Sequence, residues 1–141
     1  MRLNPHLTFD GTCEEAFRFY QECLGGEIGA MVRYQGSPLE GRVPSAWRQK
    51  ILQATLELGD DRLTGADVTA EEGYVPPTGF SVLLEPATLA EAERVFSQLG
   101  AGGEVLLRLQ ETFWADRFGM IVDRFGIPWM VNFTGPGQSV G

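Results

Sequence analysis

The chain has 141 residues, 43% of them hydrophobic, which suits one well-buried domain and is too short for two ordinary ones. Its formal charge is −8, from 19 acidic against 11 basic residues, with no basic cluster. Such a field excludes nucleic acid and anionic membrane surfaces as partners, because both attract a positive face. The first residues lack the apolar core of a signal peptide, and no segment approaches the roughly 20 apolar residues that span a bilayer, so a cytoplasmic protein is expected.

In chain order, Leu7-Thr8-Phe9 reads as a strand and Asp10-Gly11-Thr12 as a turn into a helix over residues 13–24. Thr12 with Glu15 three residues later predicts a capping box, and Ala16, Phe19, Tyr20 and Cys23 or Leu24 form the apolar stripe. Cys13 and Cys23 stand ten positions apart on that helix, about 15 Å along its axis, too far for a disulfide. Both read as reduced thiols, and Glu14, Glu15 and Glu22 beside them oppose ionisation.

Gly25-Gly26 ends the helix, residues 27–34 read as a strand, and a loop rich in Gly, Pro and Ser covers residues 35–47. Residues 51–58 alternate as a half-buried strand, and Asp60-Asp61 turns it into another near Leu63. Residues 68–78, with Pro76-Pro77, form the linker between a first unit at about 1–67 and a second at about 79–135. The second unit repeats the plan: a strand over 80–85, a helix over 89–99 opened by Pro86-Ala87-Thr88, and a strand over 104–109. Residues 111–133 then predict a meander of strand, turn, strand, tight turn and strand, with both Asp-Arg-Phe-Gly sequences, Asp116 to Gly119 and Asp123 to Gly126, as turns. This is an α+β plan of two βαβββ units. One such unit leaves a sheet face uncovered, so two must combine.

Alternate strand residues face opposite sides of a sheet. His6 and Thr8 oppose Leu7 and Phe9; Gln53, Thr55 and Glu57 oppose Leu52, Ala54, Leu56 and Leu58; Met130 and Asn132 oppose Trp129, Val131 and Phe133. His6, Thr8, Gln53, Thr55, Glu57, Met130 and Asn132 therefore line either a half-polar pocket or a water-facing surface. Trp114 joins that pocket if the aromatic group of Trp47, Trp114, Trp129, Phe113, Phe118 and Phe125 stacks a planar ligand instead of packing a core. Glu57, a carboxylate between two leucines, has the placement of a general base if it is buried.

The run Glu111-Thr112-Phe113-Trp114-Ala115, followed by Asp123-Arg124-Phe125-Gly126-Ile127-Pro128-Trp129-Met130, resembles the PhnB-like branch of the vicinal oxygen chelate superfamily of glyoxalases, bleomycin-resistance proteins and dioxygenases. That resemblance covers nearly the whole chain and implies a curved, barrel-like mixed sheet with helices outside, a small-molecule pocket inside and a homodimer. It also implies, for metal-dependent members, a His or Glu near the start of the first strand, a carboxylate on the fourth strand of a unit and counterparts in the other unit. His6 and Glu57 match the first pair. The second unit offers Phe80 or Ser81 in place of the histidine and Met130 in place of the carboxylate. Two ligands do not hold an ion tightly.

The expected function is therefore small-molecule binding with no cofactor. The alternative is a divalent-metal enzyme using His6 and Glu57 with a further donor such as Glu111 or Asp116, and a third reading is sequestration without chemistry. No phosphonate site is marked, since Arg33, Arg48 and Lys50 are the basic residues near the predicted pocket.

Overall fold

A computed structural model describes residues 1–135. It divides into two compact units, Met1–Pro76 and Pro77 onward. Unit 1 runs β1 (His6–Phe9), α1 (Cys13–Leu24), β2 (Glu27–Arg33), β3 (Ile51–Leu58) and β4 (Asp61–Asp67). Unit 2 runs β5 (Val82–Leu84), α2 (Leu89–Gly100), β6 (Glu104–Gln110), β7 (Arg117–Val122) and β8 (Pro128–Phe133). Sheet order is β1-β4-β3-β2 in the first and β5-β8-β7-β6 in the second. In each, the first and last strands pair parallel and the other neighbours antiparallel. The α+β class and the two βαβββ units are those expected, and both sheets are curved and unclosed.

In unit 1, α1 lays Cys13, Ala16, Phe17, Tyr20 and Cys23 on the sheet. The stripe thus includes Phe17 and leaves Phe19 half-buried, because residues 13, 16, 17, 20 and 23 share one side of a 3.6-residue turn. Phe17 sits directly over Gly65 of β4: a Cβ there would come within 2.5 Å of its ring. The predicted capping box is absent from α1. Thr12 has a φ of −112° and a ψ of 14° and makes no side-chain cap bond. The carboxylate of Asp67, at the far end of β4, accepts the Cys13 N–H at 2.9 Å instead. Half of such a box occurs in α2, where the N-cap Thr88 Oγ1 accepts from the Glu91 N–H, while Glu91 Oε1 reaches back to the Ala87 N–H, one residue before the cap.

The expected loop over residues 35–47 holds two 3₁₀ turns, Glu40–Arg42 and Ser45–Trp47. In unit 2, α2 buries Ala92, Val95 and Leu99, and the sheet offers buried Ile121, Trp129 and Val131. Strand β5 is only Val82–Leu84, matching three residues of β8, so Phe80 lies outside it and is exposed. Two further expectations fail locally. Residues 111–115 are a turn held by Thr112, whose Oγ1 accepts the Ala115 N–H, so the run forms no strand between β6 and β7. The first Asp-Arg-Phe-Gly is not a turn either: Arg117, Phe118 and Gly119 lie inside β7, paired with Phe133, Asn132 and Val131.

Candidate functional site

The helix side of each sheet is sealed, which leaves the opposite face as the place where polar side chains gather. On β1, Leu7 and Phe9 are buried while His6 is exposed and Thr8 half-buried. On β8, Trp129, Val131 and Phe133 are buried while Met130 and Asn132 are half-buried. Strand β3 follows the alternation from Gln53 to Glu57, but a bulge at its start breaks it. Val32 pairs with Gln53 and Arg33 with Ile51, so the extra residue Leu52 turns Ile51 to the core side with Ala54 and Leu56.

Three of the expected pocket residues prove to be committed within unit 1. Thr55 is buried, and its Oγ1 accepts the Ala30 N–H at 2.8 Å. That bond satisfies the bulge in β2, where Gly29 is the unpaired residue and a Cβ would meet the same hydroxyl at 2.9 Å. Glu57 faces Arg62 across the β3–β4 hairpin, with Oε1 2.9 Å from Nε; the pair is in ionic contact without the alignment of a hydrogen bond. The two side chains are 37% and 40% exposed, so the contact is a screened surface pair. Its signal was in the sequence: a two-residue turn at Gly59-Asp60 sets Leu58 opposite Asp61 and hence Glu57 opposite Arg62. His6 Nδ1 lies 2.7 Å from Thr64 Oγ1, its register partner on β4. Thr8 stands beside Ala66 and Gln53 is exposed next to Val32.

His6 and Glu57 are not brought together. Thr64 links the row of His6 to Thr55, and Glu57 lies two residues further along β3. Two strand spacings and two residue rises put their Cα atoms about 12 Å apart. Glu111 is exposed and Asp116 is half-buried, both in unit 2. Among the described residues no three His, Cys, Asp or Glu side chains are grouped to hold an ion.

In unit 2, Trp114 Nε1 donates to Asn132 Oδ1 at 3.2 Å, and the indole meets Phe113 and Phe118 edge to face. Phe113 is 96% exposed, so this aromatic group is not a sealed core. Trp129 is core, and Trp47 is half-buried.

Two recesses lie away from the expected pocket residues. One, of about 230 Å³, is lined by Tyr34, Leu39, Arg42, Val43, Val68 and Glu72. The other, of about 420 Å³, opens at the start of α1 and includes Glu14, Arg18, Arg33, Lys50 and Asp67. Its guanidinium groups are engaged: Arg33 contacts Glu14 at 3.0 and 3.1 Å and the Gln49 carbonyl at 2.7 Å, and Arg18 also reaches Glu14. The hydrogen bonds of Arg33, then those of Arg18, hold the Glu14 carboxyl below its ordinary range. A lowered acid contributes stability above its unfolded pKa that is lost as pH falls through the folded one. Replacing Glu14 by Gln is therefore expected to lower the urea midpoint near neutrality and progressively less on acidification. A difference from wild type that grows toward acid would contradict the sign.

Burial pushes the Cys13 thiol strongly up, reinforced by Asp67 and Glu14, so it is protonated and unreactive. Both cysteines are buried and in no disulfide. Among the described residues, no helix is long and apolar enough to cross a membrane.

A sequence profile of the glyoxalase/bleomycin resistance protein/dioxygenase superfamily matches residues 2–131. The chain belongs to this superfamily. Protein YjdN of Escherichia coli is 31% identical over 141 residues, spanning 94% of this chain and 95% of that one. Among solved structures, protein PA1353 from Pseudomonas aeruginosa is 41% identical, with a TM-score of 0.87 and coverage of 95% of this chain and 98% of that one. A Bacillus cereus protein described as a putative 3-demethylubiquinone-9 3-methyltransferase, PhnB protein, is 22% identical with a TM-score of 0.79, over 95% of this chain and all of that one. It shares the fold, in line with the PhnB-like resemblance of the C-terminal run. Superfamily membership accounts for the paired βαβββ units and leaves the chemistry to this chain's own side chains.

Proposed function

We propose that this superfamily member holds a small organic molecule against an open sheet face, without a resident transition metal, and works as a homodimer. The observation that carries the reading is the division of β1 and β8: helix-side residues sealed, with His6 and Thr8 on the other side in unit 1, where Gln53 of β3 is also exposed, and Met130 and Asn132 on the other side in unit 2. A concave, part-polar sheet face is the usual setting for a small ligand. The metal-dependent alternative has less support, because Glu57 is engaged by Arg62 and His6 by Thr64, in separate rows. Glu57 then acts as a strut of the β3–β4 hairpin and not as a general base. Exposed Leu83, Val105 and Leu106 support a partner chain, and a monomer in analytical ultracentrifugation would remove the homodimer from the reading.

Thermal unfolding across a panel of small organic ligands tests the binding claim. A ligand at a hundred times its Kd adds about 2.7 kcal/mol to stability. Gln53→Ala is expected to shrink that shift and Glu57→Gln to leave it, with the ligand recovered unchanged. A shift insensitive to Gln53 and abolished by Glu57→Gln would transfer the case to the enzyme reading.

A further inference from the structure

The loop after β2 and the turn after β4 enclose the recess of about 230 Å³ in unit 1, which shares no residue with the sheet-face group. Both of its walls are fixed by backbone hydrogen bonds. In the 3₁₀ turn Glu40–Arg42 the Arg42 N–H donates to the Leu39 carbonyl at 3.0 Å, and residues three apart on such a turn eclipse, so Leu39 and Arg42 stand on one side. Opposite, the Val68 N–H donates to the Phe9 carbonyl at 2.8 Å and the Glu72 N–H to the Thr69 carbonyl at 3.0 Å. Tyr34 is buried and its hydroxyl donates to the Asp67 carbonyl at 2.6 Å, so it offers the recess a ring and no free O–H proton. The lining is therefore apolar, from Tyr34, Leu39, Val43 and Val68, except for one cation and one anion. Among the described residues, neither the Arg42 guanidinium nor the Glu72 carboxylate takes part in an ion pair or a side-chain hydrogen bond. Burial, then the charges of Asp67 and Glu72, push the Tyr34 phenol up, which places the Glu72 charge near that ring.

We propose that this recess is a second binding site, for a small zwitterion with an apolar side chain, of the leucine class. Arg42 takes the carboxylate through its planar fork, Glu72 takes the ammonium, and Leu39, Val43, Val68 and the Tyr34 ring take the alkyl part. Two opposite charges that do not meet across an apolar hollow leave room for a molecule that carries both. A simple carboxylate satisfies Arg42 and is repelled by Glu72, and a simple amine does the reverse. The volume is below the roughly 300–1,000 Å³ of pockets for drug-sized ligands, which restricts the guest to a small molecule. Sequence pattern did not mark this site, because residues 35–47 and 68–78 read as loop and linker without periodicity.

Titration of the uniformly ¹⁵N-labelled full chain with L-leucine is expected to give saturable amide shifts at Leu39, Arg42, Val43, Val68 and Glu72. Leucinamide, which lacks the carboxylate, and N-acetylleucine, which lacks the ammonium, are expected to bind about fivefold more weakly, the equivalent of about 1 kcal/mol for an exposed ion pair. Both charged side chains are exposed, so their variants are expected to fold. Arg42→Gln is expected to abolish the preference for leucine over leucinamide, and Glu72→Gln the preference over N-acetylleucine. Equal affinities for the three ligands overturn the proposal, as do preferences that survive in both variants or the absence of a saturable shift at the recess. Shifts centred on His6, Thr8 and Gln53 instead would also overturn it while leaving the sheet-face reading in place, so the two failures are distinguishable.

Discussion

Replacing Asp123 by Ala is expected to destabilise unit 2 by about 3–5 kcal/mol, the sum of several buried donors losing their acceptor at about 1–3 kcal/mol each. The carboxylate is 3% exposed and receives three N–H groups. Oδ1 accepts from Phe125 N at 2.8 Å and Ile127 N at 3.1 Å, which closes the turn between β7 and β8. Oδ2 accepts from the indole Nε1 of Trp129 at 2.8 Å, and Trp129 is among the largest fully buried side chains. Asp123→Asn keeps the two backbone bonds but sets an amide N–H against the indole N–H, donor against donor. Trp129→Phe removes that conflict. The double variant Asp123→Asn/Trp129→Phe is thus expected to lose less stability than the two single losses together, by about 1 kcal/mol or more. Urea unfolding at constant m-value measures it; strict additivity would show that the indole bond contributes nothing.

Asp67→Ala is expected to cost unit 1 a similar amount, about 3–5 kcal/mol, by the same orphaning of buried donors. Asp67 is 1% exposed and ties three segments: it caps α1 through Cys13 N, starts β3 through Ile51 N at 2.8 Å and ends β4 itself. Burial raises its pKa, with the backbone bonds of Ile51, Cys13 and Gly11 opposing. A raised acid binds its proton more tightly folded than unfolded, so its contribution to stability falls as pH rises from the ordinary value of 3.8 through the folded one. Asp67→Asn removes that trend and retains one acceptor, so its loss is expected to be about half that of alanine. A loss below about 1 kcal/mol for Asp67→Ala would mean that other groups or water satisfy these amides.

These two aspartates show what could be read locally and what could not. Asp123 sits in a turn whose partners are two to six residues away, and local bonding there is what an Asp-x-x-Gly turn predicts. Asp67 acts on Cys13 across 54 residues, and the nearby Thr12 and Glu15 imitate the cap it supplies. Period-two alternation placed β8 correctly, since that strand pairs with β7 without interruption. It placed β3 only in part, because the bulges at Leu52 and Gly29 shift faces by one residue and carry no mark beyond a glycine. The second Asp-Arg-Phe-Gly is a turn and the first is not, although the letters agree: Thr112 makes the turn before β7, which leaves Arg117 to Gly119 to extend the strand. That Arg62 and Thr64 engage Glu57 and His6 needed the strand register.

Ligand-induced thermal stabilisation measured with and without EDTA tests the small-molecule reading most directly. The account predicts that a stabilising organic ligand raises Tm equally in both conditions and that its shift shrinks in Gln53→Ala. Stabilisation that disappears on chelation and returns with an added divalent ion would contradict it.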